Sequence, residues 1–360
     1  MAGSDYTALG LEVAVGAIDA ELRKLWDADE AQTNASLMNL AVYSEEPGAM
    51  LRNSDVVREL TREHACRAIL IEMDRGGAEP ALHSWITAHC HLAHGRKSVC
   101  CEQLAFLLVG HTVGRMRNTV FAHLASDLPL VFWWQGELSP IFEERLYRSI
   151  DRLIFDSAEW SDPLAGFTRI REAAGHTGHA MVLQDLSWTR TYHFRLAVAA
   201  LFDDLVAQRA MPEIDSVRIV APPDQRLGAL MLLSRLAIQS GWRIGLELGL
   251  AAERIAGCSE CFVFESQDGR TIKARLEWDP AGAPLGLLEV QAPGCTVSVI
   301  REAGAKQLRQ RLECPGHVIE QNGTAEEISQ AGLVANQLAR VGKDSLFRKV
   351  FPFFSEMLNG

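Results

Sequence analysis

Apolar positions along the 360-residue chain fall into three different rhythms, and their order sketches the fold. Leu130–Trp134 is an unbroken run of large apolar and aromatic residues between Pro129 and Gly136, the signature of a strand buried on both faces. Helical spacing over Ser139–Ser149 and a second short run, Leu153–Phe155, complete a parallel strand–helix–strand unit. Both strands of such a unit end at one edge of the sheet. Trp133, Trp134, Gly136, Asp156 and Ser157 would emerge there, where open α/β sheets usually receive their ligands. Two indoles packed into the core on opposite faces explain the run equally well.

Upstream, a helical stripe from residue 9 to 26 carries Leu11, Val15, Ile18, Leu22 and Leu25 at steps of three and four. A strand over Leu37–Tyr43, a helix from Ser54 (as N-cap) to His64 and a strand over Arg67–Met73 make a second crossover unit. His83–Leu92 and Ser98–Val109 alternate and read as a hairpin around residues 94–97. A helix is expected over Thr112–Leu124, and another opens at Asp162-Pro163, where Pro occupies the first helical position.

Polar residues 175–178 mark a domain boundary, placing an N-terminal α/β domain over 1–175 and a second domain over 176–360. The second opens with an amphipathic helix, Phe194–Val206. A βαβ unit follows, formed by Val217–Val220, Leu227–Gln239 and Trp242–Leu248. From Cys261 the period shortens to two, with turns at Asp268-Gly269, Asp279-Pro280 and Pro293-Gly294, which predicts an antiparallel meander. Helices over Glu326–Val341 and Ser345–Leu358 close the chain. The expected fold class is therefore α/β: a mixed-sheet N-terminal domain followed by a C-terminal α+β domain with a βαβ unit and a meander.

Composition narrows the function. Hydrophobic residues make up 48% and charged residues 22%, as in a globular protein with a full core. A net charge of −11, with no local Lys/Arg cluster, argues against nucleic acid or anionic membranes as partners. There is no signal-peptide pattern and no run long enough to span a bilayer, so a cytoplasmic location is expected. Eight cysteines in such a chain default to buried thiols.

Chemical signatures are sparse. GxGxxG after a strand, GxxxxGK[ST], GxSxG and HExxH are all missing. His89, His91, His94, Cys90, Cys100 and Cys101 resemble a metal set in type, but strand alternation sends Cys90 away from His89 and His91. No metal site is therefore expected. Cys258 and Cys261 form a lone CxxC that leads into a strand rather than opening a helix, a redox candidate only. Asp156-Ser157 reads as an active-site pair or as a simple helix cap. Arg115, Arg117, Arg152, Arg190 and Arg195 are candidates for an anion clamp or for ordinary ion pairs.

Three segments then align in order with a known pattern. They are Asp127-Leu-Pro-Leu-Val-Phe-Trp-Trp-Gln-Gly136, Asp151-Arg-Leu-Ile-Phe-Asp-Ser-Ala-Glu-Trp160, and Asp185-Leu-Ser-Trp-Thr-Arg190 with Phe194-Arg195. They resemble the DLPxxLWWxG, DRLIxDSxxW and DLxWTRxxxWR motifs of the OpcA family, assembly or activator subunits of glucose-6-phosphate dehydrogenase. Residues 332–344 are similar to that family's closing helix. Phe132 stands for the family's Leu, and Tyr192-His193-Phe194 for Thr-Pro-Trp, at similar volume. The resemblance implies a partner, glucose-6-phosphate dehydrogenase, no cofactor and no chemistry of the chain's own. It makes Trp133, Trp134, Gly136, Asp156, Ser157, Trp160, Trp188, Arg190 and Arg195 the expected partner-binding residues or their support. A sugar-phosphate-binding enzyme or sensor at the same edge, and a thiol switch through Cys258 and Cys261, are the competing readings.

Overall fold

The computed structural model describes residues 5–27, 32–34, 36–93, 97–110, 116–176, 181–245, 259–325, 329–340 and 345–359. The chain divides into two compact units, one of Met1–Asp185 with Ser329–Lys343 and one of Leu186–Ile328 with Asp344–Gly360.

The first unit contains, in order, β1 (Leu11–Glu12), α1 (Ile18–Asp27), β2 (Gln32–Asn34), β3 (Asn39–Ser44), α2 (Ala49–Leu60), β4 (Arg67–Asp74), β5 (Ala81–Ala93) and β6 (Lys97–Val109). It continues through α3 (Met116–Val120), β7 (Leu130–Trp134), α4 (Glu144–Tyr147), β8 (Arg152–Phe155), α5 (Pro163–His176) and β9 (Val182–Asp185). Its sheet runs β1-β5-β6-β4-β3-β7-β8-β9, with β2 beside β6. The stretch from β6 to β9 is parallel throughout. In chain order those parallel strands lie third, second, first, fourth, fifth and sixth, the arrangement of dinucleotide-binding sheets. Every residue of β3 and β7 is buried, which accounts for their continuous apolar runs.

The second unit contains α6 (Leu186–Thr189), α7 (Tyr192–Phe202), α8 (Leu205–Ala210), β10 (Ser216–Ala221), α9 (Arg226–Gln239), β11 (Arg243–Ile244), β12 (Glu260–Glu265) and β13 (Thr271–Trp278). Then come β14 (Leu287–Ala292), β15 (Cys295–Ile300), β16 (Gln307–Cys314) and β17 (His317–Thr324). The chain returns to the first unit as α10 (Gln330–Leu338) and ends in the second as α11 (Ser345–Asn359). The second sheet runs β11-β12-β13-β10-β14-β15-β16-β17.

The mixed α/β class holds, with several local differences. The expected helix over 9–26 starts only at Ile18, because Gly10 turns the chain at φ 111° and Leu11–Glu12 pairs with Ile86 and Trp85. A Cβ at Gly10 would lie 2.3 Å from the Ile86 carbonyl oxygen, so only glycine permits this approach. Helix α2 begins at Ala49, not at Ser54, whose hydroxyl lies inside the helix and accepts from Gln103 Nε2 at 2.9 Å. The β7–β8 crossover holds only the single-turn helix α4. The expected helix 194–206 is two helices, separated where Asp204 caps α8 by accepting from Val206 N at 2.8 Å.

The meander is interrupted. β10 lies between β13 and β14, parallel to the first and antiparallel to the second. Two strands, β12 and β13, therefore separate β11 from β10, and β17 adds a strand that the period did not disclose. The boundary lies at Asp185 rather than 175, because β9 pairs in parallel with β8 and belongs to the first sheet. No helix among the described residues is long and apolar enough to cross a membrane.

Candidate functional site

In the first sheet, the connections leaving β3 and β7 diverge at their carboxyl ends, which opens a crevice between neighbouring strands. The resulting cavity, about 800 Å³, is lined by Glu45 and Glu46 after β3, Arg75 after β4, Gln135–Glu137 after β7 and Glu159 after β8. Arg52 and Asn53 of α2 complete that wall. Four carboxylates thus face two guanidinium groups. Arg52 pairs with Glu46 at 2.5 Å and Arg75 with Glu45 at 3.5 Å, so the excess charge of the crevice is negative. Asn53 and Gln135 exchange amide hydrogen bonds, both at 2.9 Å, across its floor.

The crevice differs chemically from a dinucleotide site at one decisive place. In such sites the helix after the first strand points its free N–H groups at the pyrophosphate. Here those groups are already taken by Glu72, a β4 side chain only 3% exposed. Its carboxylate accepts from Gly48 N at 2.9 Å, Met50 N at 3.1 Å and the Tyr6 hydroxyl at 2.7 Å. Gly48 at φ 77° lets the backbone turn its N–H toward that carboxylate. A second anion would meet both a filled donor set and a like charge.

The expected edge residues of this unit form the interior beneath the crevice. Trp133 and Trp134 are fully buried, Trp160 and Asp156 nearly so, and Ser157 completely. Trp134 lies against Tyr43, ring centroids 4.1 Å apart, and donates to the Glu137 carbonyl at 2.9 Å. Trp160 stacks on Phe155 at 5.1 Å and donates to the Gly136 carbonyl at 3.2 Å. Gly136 turns the chain at φ 76°, and its N–H donates to Glu159 at 2.7 Å. The two indole N–H groups therefore hold the 136–137 loop from below. Asp156 caps the turn that follows it through Ala158 N at 3.2 Å, and Asp185 accepts from Ser157 N at 3.2 Å.

Arg169 of α5, not singled out by motif, extends this frame. It donates to the carbonyls of Leu138, Ser139 (2.9 Å) and Phe142 (3.2 Å). The run Pro163–His176 gives no signal for that role beyond an arginine on a helix near a Gly-bearing loop.

In the second unit, Trp188 of α6 is buried, and the Arg195 guanidinium carbon of α7 lies over its ring, 3.6 Å from the centroid. Arg195 Nε also donates to Thr191 Oγ1 at 2.9 Å, and Thr191 donates to the Trp188 carbonyl at 2.8 Å. The spacing of the third motif thus builds a stacked cation–indole corner. Arg190 is half-buried at the end of α6, its N–H on the Leu186 carbonyl at 3.0 Å. The nine expected site residues are therefore divided, six in the first unit and three in the second.

The cysteine and histidine candidates resolve differently. Cys90 faces Cys100 in register and the two form a disulfide, as do Cys295 and Cys314, with Cα–Cα distances of 4.0 and 4.3 Å. The expectation that all eight cysteines are thiols is corrected for these, because antiparallel register places each pair directly opposite. Cys261 is also disulfide-bonded. Cys258, His94 and Arg115 lie outside the described residues. His89 Nε2 lies 2.9 Å from Gln103 Oε1 and His91 Nε2 3.0 Å from Thr61 Oγ1. Among the described residues no three His, Cys, Asp or Glu side chains cluster as metal ligands.

Comparison with known proteins matches residues 57–172 to the glucose-6-phosphate dehydrogenase subunit N-terminal domain and residues 181–351 to the corresponding C-terminal domain. A protein of Synechococcus elongatus described as the OxPP cycle protein OpcA is 23% identical over 314 residues, covering 83% of this chain and 69% of that relative. Among solved structures, an aldose-aldose oxidoreductase from Caulobacter crescentus is 12% identical, with a TM-score of 0.46 over 89% of this chain and 98% of that one. A super-repressor form of Gal80p from Saccharomyces cerevisiae is 8% identical, with a TM-score of 0.43 over 91% and 97%. Both scores are too low to bear on chemistry.

Proposed function

Since the chain belongs to the OpcA family of glucose-6-phosphate dehydrogenase subunits, we propose that it is a non-catalytic assembly factor and allosteric activator of that dehydrogenase. It acts beside the enzyme in the cytoplasm, in the oxidative pentose phosphate pathway. The observation that carries this reading is the paired family match, which together spans most of the chain. The geometry of the first unit supports the non-catalytic part. Its sheet has the strand order of a dinucleotide fold, yet Glu72 occupies the helix terminus that would take the pyrophosphate.

An activator of this kind works by binding one state of the enzyme more tightly than another. A tenfold preference shifts the enzyme's equilibrium by about 1.4 kcal/mol, and the enzyme state in turn changes the activator's affinity by the same factor. The partner-binding surface on the first unit is the crevice rim, Glu45, Glu46, Gln135, Gly136, Glu137 and Glu159. Trp133, Trp134, Asp156, Ser157 and Trp160 support it from below, and Trp188, Arg190 and Arg195 form the corresponding support in the second unit. An acidic rim favours a basic patch on the enzyme and steers its approach. A sugar phosphate is disfavoured at the same place by the excess carboxylates.

The test is co-purification with the dehydrogenase. Wild-type chain should retain it, and the charge reversals Glu46→Lys with Glu137→Lys should weaken retention without lowering the melting temperature. Unchanged retention removes the rim from the interface. Absence of retention by the wild type removes the function.

A further inference from the structure

The second unit contains a second cavity, which shares only Arg195 with the motif residues. It lies between α7, the turn after α8, α9 and β14, and holds about 470 Å³, within the range of small-molecule sites. Its walls are mostly apolar, among them Val198, Phe202, Ile214, Leu236 and Trp242. Two arginines line it, Arg195 and Arg235, against one acidic residue, Asp203, which is exposed.

The two arginines are in different situations. Arg195 is held over the Trp188 ring and on Thr191. Arg235, on α9, makes no hydrogen bond or ion pair among the described residues. Burial alone acts on its charge and lowers its pKa from the usual guanidinium value, with no carboxylate countering it. A half-buried cation without a partner is costly to keep in a fold. Guanidinium in an apolar cleft is also the group best suited to a carboxylate, which it grips with two parallel hydrogen bonds.

We infer that this cavity binds a small organic acid, an anionic head group on an apolar body, with Arg235 gripping the carboxylate and the α7–α9 walls enclosing the body. Arg195 adds positive potential at the same wall. Such a site is separate from the acidic crevice of the first unit, and it needs no dehydrogenase to be occupied.

The experiment uses the full-length chain and the fluorescent anion 1-anilinonaphthalene-8-sulfonate as reporter, displaced by decanoate or by its neutral counterpart decanol. Saturable reporter binding is expected, with decanoate displacing it at concentrations at least about tenfold lower than decanol, since a charge-assisted hydrogen bond is worth that much or more. Arg235→Gln should weaken decanoate by at least about tenfold while leaving decanol unchanged. Ala199→Phe, at the exposed rim on α7, should block both without disturbing the core. The inference is overturned by absence of saturable binding, by equal displacement by acid and alcohol, by an Arg235→Gln variant as tight as wild type, or by no effect of Ala199→Phe.

Discussion

Replacing Glu72 by Gln probes the feature that separates this sheet from a dinucleotide site. The side chain is 3% exposed and takes three donors, two of them the N–H groups of Gly48, just before α2, and of Met50 in its first turn. Glutamine keeps one acceptor oxygen, enough for Tyr6 and Gly48, which both use Oε1 in the native chain. Its amide nitrogen then faces Met50 N, donor against donor. Leaving one buried N–H unsatisfied costs about 1–3 kcal/mol, and losing the charge at a helix N-terminus adds about 0.3–1 kcal/mol, up to about 2 when partly buried. The expected loss is therefore about 1.3–5 kcal/mol against openings that free the start of α2. Hydrogen exchange of peptides covering residues 45–60, followed by mass spectrometry, measures it directly. Exchange should accelerate about 8- to 4,000-fold, at about 1.4 kcal/mol per factor of ten. Exchange within twofold of wild type would refute the claim that Glu72 fills and holds that terminus.

Other substitutions read the frame beneath the crevice. Gly166→Ala puts a methyl 2.3 Å from the Trp160 ring, so overpacking of about 1–3 kcal/mol should outweigh the helix propensity gained. A raised melting temperature contradicts the packing described. Trp134→Ala, at a fully buried site, should destabilise the first unit by about 3–5 kcal/mol in urea titrations; a loss under 1 kcal/mol is the adverse result. Burial lowers the pKa of His89, so its folded value lies below the unfolded one of about 6.5. Its contribution to stability is thus present above that pH and lost as the solution acidifies through the folded value. His89→Gln should flatten the melting-temperature profile below about pH 6.5, and an unchanged slope rejects this.

Much of this architecture was legible from residue order alone. The Leu130–Trp134 run announced a strand buried on both faces because a parallel sheet covered by helices leaves no polar side, and β3 and β4 were readable for the same reason. The hairpin of β5 and β6 followed from alternation. What escaped depends on partners distant in sequence. Leu11 carries a helical stripe, yet Gly10 and the edge of β5 claim it for a strand. The insertion of β10 between β13 and β14 leaves no local trace, since each strand keeps the same alternation whichever neighbour it has. At the candidate site, the motif tryptophans of the first unit form the buried frame under the 136–137 loop. The rim that faces solvent consists of ordinary glutamates, and Glu72 and Arg169 act through tertiary contacts 22 to 66 residues away.

The most direct test of the central claim measures the dehydrogenase itself. Its initial rate at subsaturating glucose 6-phosphate and its mass distribution in solution are recorded with and without equimolar full-length chain. The account predicts a higher rate together with a shift toward a larger assembly containing both proteins. Identical rates and identical mass distributions would contradict it.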